Sequence, residues 1–196
     1  DLADQESPVI AGELEIDGYS DYLHPISESL ILGIGKDALF DETSIDFGGG
    51  RGAWYQGLKL SLFDVSAPAN PSELDSLILG KRGTDSAVLS DHHALSYLPA
   101  NGIEPARLAI PINLHDTTPA WELFDPALPN AYYDFTHTGL YSFEISDSGI
   151  SQAGIIYGTE PVSVFLNGNY SDRSILLNDA IFYIHQGEVM SSRWGE

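Results

Sequence analysis

An all-β fold of repeated antiparallel units is predicted by three features of this chain. Short segments rich in strand-forming residues dominate it, helical periodicity is almost missing, and one dipeptide recurs at long intervals ahead of similar apolar runs. The strand segments are 29–35 (SLILGIG), 58–65 (LKLSLFDV), 107–114 (RLAIPINL), 140–145 (LYSFEI), 152–158 (QAGIIYG) and 180–185 (AIFYIH), each bounded by Gly, Pro, Asn, Asp or Ser. In 140–145, Tyr141, Phe143 and Ile145 alternate with polar residues, the period of two that gives a strand one buried face. Leu108, Ile110, Ile112 and Leu114 alternate in the same way, with Pro111 on the other parity, where it favours an edge strand or a bulge. The best helical candidate is the single turn Ala120 to Phe124, after Pro119.

The repeat organises these strands. Ser-Asp opens three comparable stretches, at Ser20-Asp21, Ser90-Asp91 and Ser171-Asp172, and each leads into an apolar strand. A second element follows in the same order each time: GLKLSLFDVS from Gly57, GLYSFEIS from Gly139 and the shorter GEVMSSRW from Gly187. A further turn and outer strand follow in the first two units, at residues 63–80 and 143–158, which makes each a four-stranded antiparallel meander. Radial repetition of such meanders is a β-propeller. The units divide the chain into a leading strand of a preceding blade (1–19), a blade (20–89), a second blade (90–170) and a partial blade (171–196), so the expected architecture is an open or incomplete propeller. Two stretches that interrupt the pattern, 41–52 and 115–136, read as long loops, where binding residues usually sit on a β scaffold.

Length and composition bound the rest. The 196 residues suffice to bury a substantial core without cross-links, and none is available because cysteine is absent. Eight Lys and Arg face 29 Asp and Glu, a net charge of -21, which disfavours nucleic acid and anionic membranes as partners. Such a surface suits high ionic strength and attracts cations. No run of apolar residues is long enough for a membrane-spanning helix, and residues 1–10 lack the pattern of a signal peptide, so the expected product is a mature or trimmed segment of a larger one.

The runs 18–38 (GYSDYLHPISESLILGIGKDA), 47–86 (from FGGGRGAWYQG to KRGTDS), 91–99 (DHHALSYLP) and 172–189 (DRSILLNDAIFYIHQGEV) resemble the C-terminal β-propeller domain family of secreted bacterial and archaeal proteins, distantly related to WD40 repeats. The similarity covers nearly the whole chain from about Glu13 onward and corresponds to the C-terminal portion of that longer domain. It implies a propeller fold and a secreted, periplasmic or cell-surface setting, and carries no known chemistry. A partial ring leaves an edge to be covered, expected near residues 12–16, by the missing blades or a second copy of the chain.

Two constellations could carry function. Asp21, Asp91 and Asp172 enter the first strand of each unit, the strand that lines a propeller's channel, together with His24, His92 and His93. Carboxylate with imidazole suits zinc, and carboxylate with backbone carbonyls suits calcium, so a divalent cation is the cofactor these residues would take. The alternative is structural: Asp caps a tight turn and His bonds across strands. The second constellation is Arg51, Trp54, Tyr55, Trp121, Tyr132 and Tyr133, flat rings and a guanidinium that would form a platform for protein or glycan, or else pack into the core. His137, His185 and the pair His115-Asp116 mark no complete acid-base set. Motifs for a serine nucleophile, phosphate loop, dinucleotide site, zinc helix or EF-hand are absent. Two functional classes follow: a non-enzymatic binding module that works through its loops, or a metal-dependent hydrolase or lyase at the channel mouth. Convergence of the Asp and His set separates them.

Overall fold

The computed structural model describes residues 6–40, 52–117, 130–158 and 171–196. Eleven strands form three antiparallel sheets in chain order. The first contains β1 (Tyr19–Pro25), β2 (Leu30–Phe40), β3 (Ala53–Asp64) and β4 (Ser72–Leu79); the second contains β5 (Ser96–Leu98), β6 (Ala106–Asp116), β7 (Asp134–Ser146) and β8 (Gly149–Tyr157). The third contains β9 (Arg173–Leu177), β10 (Ala180–His185) and β11 (Glu188–Arg193). Every strand pairs with its neighbour in sequence, so each sheet is a meander, and two four-stranded blades with a three-stranded one make an incomplete propeller.

The second sheet is the middle layer. On β6, Leu108, Ile110 and Ile112 join Leu32, Ile34, Leu58, Leu60 and Leu62 of the first sheet in one buried cluster. Ala109 and Leu140, of opposite parity, pack with Ile181 and Tyr183 of the third sheet. A strand covered on both faces reads as a continuous apolar run, which is what residues 108–112 are.

Pro111 does not mark an edge strand: β6 lies between β5 and β7. It is tolerated because β5 is short and pairs only as far as Ala109. Beyond that point β6 meets the preceding loop, through the Asp85 and Asn113 bridge and the Ser86 hydroxyl, which donates to the Pro111 carbonyl (2.6 Å).

That loop holds two single-turn 3-10 helices, Ala87–Leu89 and His92–Ala94, capped by the side chains of Ser86 and Asp91. It wedges between the inner strands of all three sheets. Lys36 Nζ donates to the Thr84 carbonyl (2.6 Å), and Arg173 pairs with Asp91 (2.5 Å).

The outermost faces differ from expectation. Residues 8–16 form no strand. This segment approaches the turn at Pro68 and Ala69 through Gly12, and the Asp17 carbonyl that follows it accepts from the buried Lys59 (3.2 Å). The far face of the third sheet carries exposed Ile175, Leu177 and Val189. The turn expected at 120–124 lies outside the described residues, and among those described no helix is long and apolar enough to cross a membrane.

Candidate functional site

One end of the first two sheets gathers aromatic rings around an arginine. Trp54 and Tyr55 open β3, opposite Leu39 and Ala38 of β2. Tyr132 and Tyr133 immediately precede β7. Between them projects the turn 80–84, which needs glycine at both ends: Gly80 (φ 64°) and Gly83 (φ 115°) lie in left-handed backbone. A Cβ at Gly83 would also stand 2.7 Å from the His115 ring. The turn is fastened to β6, since Lys81 N–H and the Thr84 hydroxyl both donate to the His115 carbonyl (2.7 and 3.0 Å).

From this turn the Arg82 guanidinium lies between two rings, 4.8 Å from the centre of Trp54 and 4.4 Å from that of Tyr132. Its Nη1 donates to the Tyr55 carbonyl (3.1 Å), and its own carbonyl accepts from Tyr133 N–H (3.0 Å). His115 Nδ1 must carry a proton, because its partner at 2.8 Å is the Tyr133 carbonyl, which can only accept. Tyr133 is therefore packed and pinned, whereas Tyr132 and Tyr55 are 66% and 39% exposed. The Tyr55 ring meets Tyr19 edge-on at 4.8 Å. Burial first, and then the Asp21 carboxylate, push the Tyr19 hydroxyl up to about 12.

Of the six platform residues named from sequence, the structure thus places Trp54, Tyr55, Tyr132 and Tyr133 together; Arg51 and Trp121 lie outside the described residues. Arg82, their common centre, went unnoticed. Its signal was two cations in KRG, between glycines, in a chain with eight cations in all.

The Asp and His set is divided among three places. Asp21 interacts with Tyr19 and Lys36, and burial raises its carboxyl above the usual range. His24, His92 and His93 lie around two tyrosines: Tyr22 Oη is 3.0 Å from His24 Nδ1, His92 stacks on Tyr22 and on His93, and His24 meets Tyr97 edge-on. Burial lowers the tendency of His24 to protonate. Asp91 accepts from the backbone and ring of His93 (both 3.0 Å), which with Arg173 holds its carboxyl below the ordinary carboxylate value.

Asp172 is elsewhere and fully buried. It accepts from the Tyr183 hydroxyl (2.5 Å) and from His185 Nδ1 (2.9 Å), so this imidazole also carries its proton on Nδ1. Burial and the carboxylate together raise the Tyr183 hydroxyl far above its ordinary range. Where Asp91 and Asp172 come nearest in bonding terms, a guanidinium joins them: Arg173 donates to the Asp91 carboxylate and to the Asp172 carbonyl. Among the described residues no three His, Asp or Glu side chains are grouped to hold a metal ion.

Comparison with known proteins agrees with the architecture. An uncharacterised protein of Archaeoglobus fulgidus is 37% identical over 103 residues, covering 53% of this chain and 14% of the relative. A second uncharacterised protein, from Methanocaldococcus jannaschii, is 40% identical over 94 residues, 48% of this chain and 12% of the relative. The matched part is thus a small fraction of those proteins. No solved structure matches. The model of the beta propeller domain family matches residues 1–196, over which three consecutive meanders and their packing are laid out, and the chain belongs to that family.

Proposed function

We propose that this chain is a non-enzymatic binding module of the extracytoplasmic space, recognising protein or glycan through the platform formed by Trp54, Tyr55, Arg82 and Tyr132. The observation that carries the reading is the guanidinium held between two rings and fixed by its own turn, with Tyr132 and Tyr55 left open to solvent. Preorganised rings lose little conformational freedom on binding, and exposed aromatics beside an arginine are typical of sites that dominate recognition. The strand ends Phe40, Ala53, Asp116 and Asp134, from which the segments 41–51 and 118–129 depart, lie at this same end. A rigid sheet end bearing long connections is the usual place for recognition.

The test is binding to glycan and peptide arrays, by wild type and by R82A and Y132A. A ligand whose capture falls at least tenfold in both variants, with melting temperatures unchanged, supports the proposal. Capture that is unaffected by either substitution, or no capture on any array, sinks it.

A further inference from the structure

Resting on that reading, we infer that the platform's ligand class is a carboxylated sugar: a uronic acid within a glycan chain, its ring face on Tyr132 and Tyr55 and its carboxylate on Arg82. Three observations converge on this.

The first is the state of Arg82. Lys36, Lys59, Arg107 and Arg173 each pair with at least one carboxylate. In a chain with 29 acidic residues, neither Arg82 nor its neighbour Lys81 forms an ion pair among the described residues. Of the Arg82 donors, Nη1 gives one bond to the Tyr55 carbonyl, and Nε is a buried N–H with no acceptor among the described residues. A buried donor without a partner is costly, and the unused Nε and Nη2 edge of a guanidinium is the fork that fits the two oxygens of a carboxylate.

The second is the pairing of this cation with open rings. A pyranose presents a face of C–H groups that covers an aromatic ring, and Tyr adds a hydroxyl for the sugar's rim. The third is the surrounding charge. Asp116 and Asp134 close the adjoining ladder of β6 and β7, and the whole chain is strongly negative. Repulsion there grows with the number of charges a ligand carries, so a sparsely carboxylated glycan met by Arg82 and exposed Lys81 is disfavoured less than a densely charged chain.

The experiment is titration of the full chain with tri-galacturonate and its fully methyl-esterified counterpart, followed by chemical shifts of the backbone amides. Binding of the acid at least tenfold tighter than the ester is expected, with shifts at Trp54, Tyr55, Arg82 and Tyr132. Raising salt from 50 to 500 mM should weaken the acid several-fold and leave the ester unchanged. R82K keeps the charge but loses the fork; it should abolish most of the preference while ester binding persists. Equal affinity for acid and ester overturns the carboxylate assignment and leaves the platform reading standing. So does tighter binding of an aspartate-rich peptide than of tri-galacturonate. Shifts located elsewhere, or no shifts with either sugar, overturn the assignment as well, and the array result then decides the platform itself.

Discussion

Replacing Asp172 by Ala should be among the most destabilising single changes in the protein. The carboxylate is fully buried and accepts two hydrogen bonds, from the Tyr183 hydroxyl at 2.5 Å and from His185 Nδ1 at 2.9 Å. Each such bond contributes about 0.5–1.5 kcal/mol, and about 1.5–3 kcal/mol where a partner carries charge. Truncation removes both and leaves the Tyr183 hydroxyl and His185 Nδ1 their 3.3 Å contact with each other, while relieving the carboxylate of its own desolvation. Among the described residues its Oδ1 has no partner, so that relief is real. Leaving a buried donor unsatisfied costs about 1–3 kcal/mol, so the net loss is about 2–4 kcal/mol. In a domain of this size about 2–4 °C accompanies each kcal/mol, so the melting temperature should fall by roughly 4–16 °C. Thermal unfolding followed by circular dichroism at pH 7 measures it. Y183F removes a single donor and should cost about 1 kcal/mol, and in the double variant the two losses should sum to less than their separate values. A melting temperature for D172A within about 2 °C of wild type, or strict additivity with Y183F, refutes the reasoning.

Three other outcomes follow from the same structure. Gly35→Ala puts a methyl 1.8 Å from the Tyr19 carbonyl and should part β1 from β2, costing about 3 kcal/mol in a urea titration. Burial raises Tyr19 and Tyr141 to about 12, and Tyr183 rises too. Because these folded-state values lie above the unfolded value of about 10, the folded chain holds protons that the unfolded chain has released above that pH. The stabilisation is thus complete below pH 10 and is lost as pH climbs toward 12; a urea midpoint no lower at pH 11 than at pH 9 contradicts it. Finally, a net charge of -21 implies self-repulsion that salt screens, so the urea midpoint should rise between 50 and 500 mM NaCl. A flat response shows that the acids are spaced too widely to interact.

The sheets were legible where burial imposed a period. Tyr141, Phe143 and Ile145 announce β7 because their face meets the first sheet. The same strand continues back to Asp134 through Phe135 and His137, where the ladder outruns the core and no apolar pattern remains to be read. A Ser-Asp dipeptide lies at or just before the first strand of each sheet, yet its aspartates meet three environments: Asp21 beside Lys36, Asp91 capping a turn, Asp172 sealed beneath Tyr183. Their fates are decided by the side chains that the adjoining strands and turns bring to them, which the dipeptide itself does not encode. Arg82 escaped notice for a related reason. A single turn residue has no periodicity, and its importance arises from rings 28 residues before it and 50 after it in sequence, at Trp54 and Tyr132.

The strictly sequential pairing of the strands also governs how the chain can be made. Each hairpin closes onto the strand just synthesised, so ordering a sheet never waits for a distant partner, and the entropy of loop closure is met in small instalments. The first sheet can assemble on the ribosome while the second is still being translated, and its exposed leucines are then covered as β6 and β7 emerge. Insertions between β2 and β3 or between β6 and β7 lengthen a connection without altering that order, which makes these two junctions the natural places for such a protein to diversify what it holds.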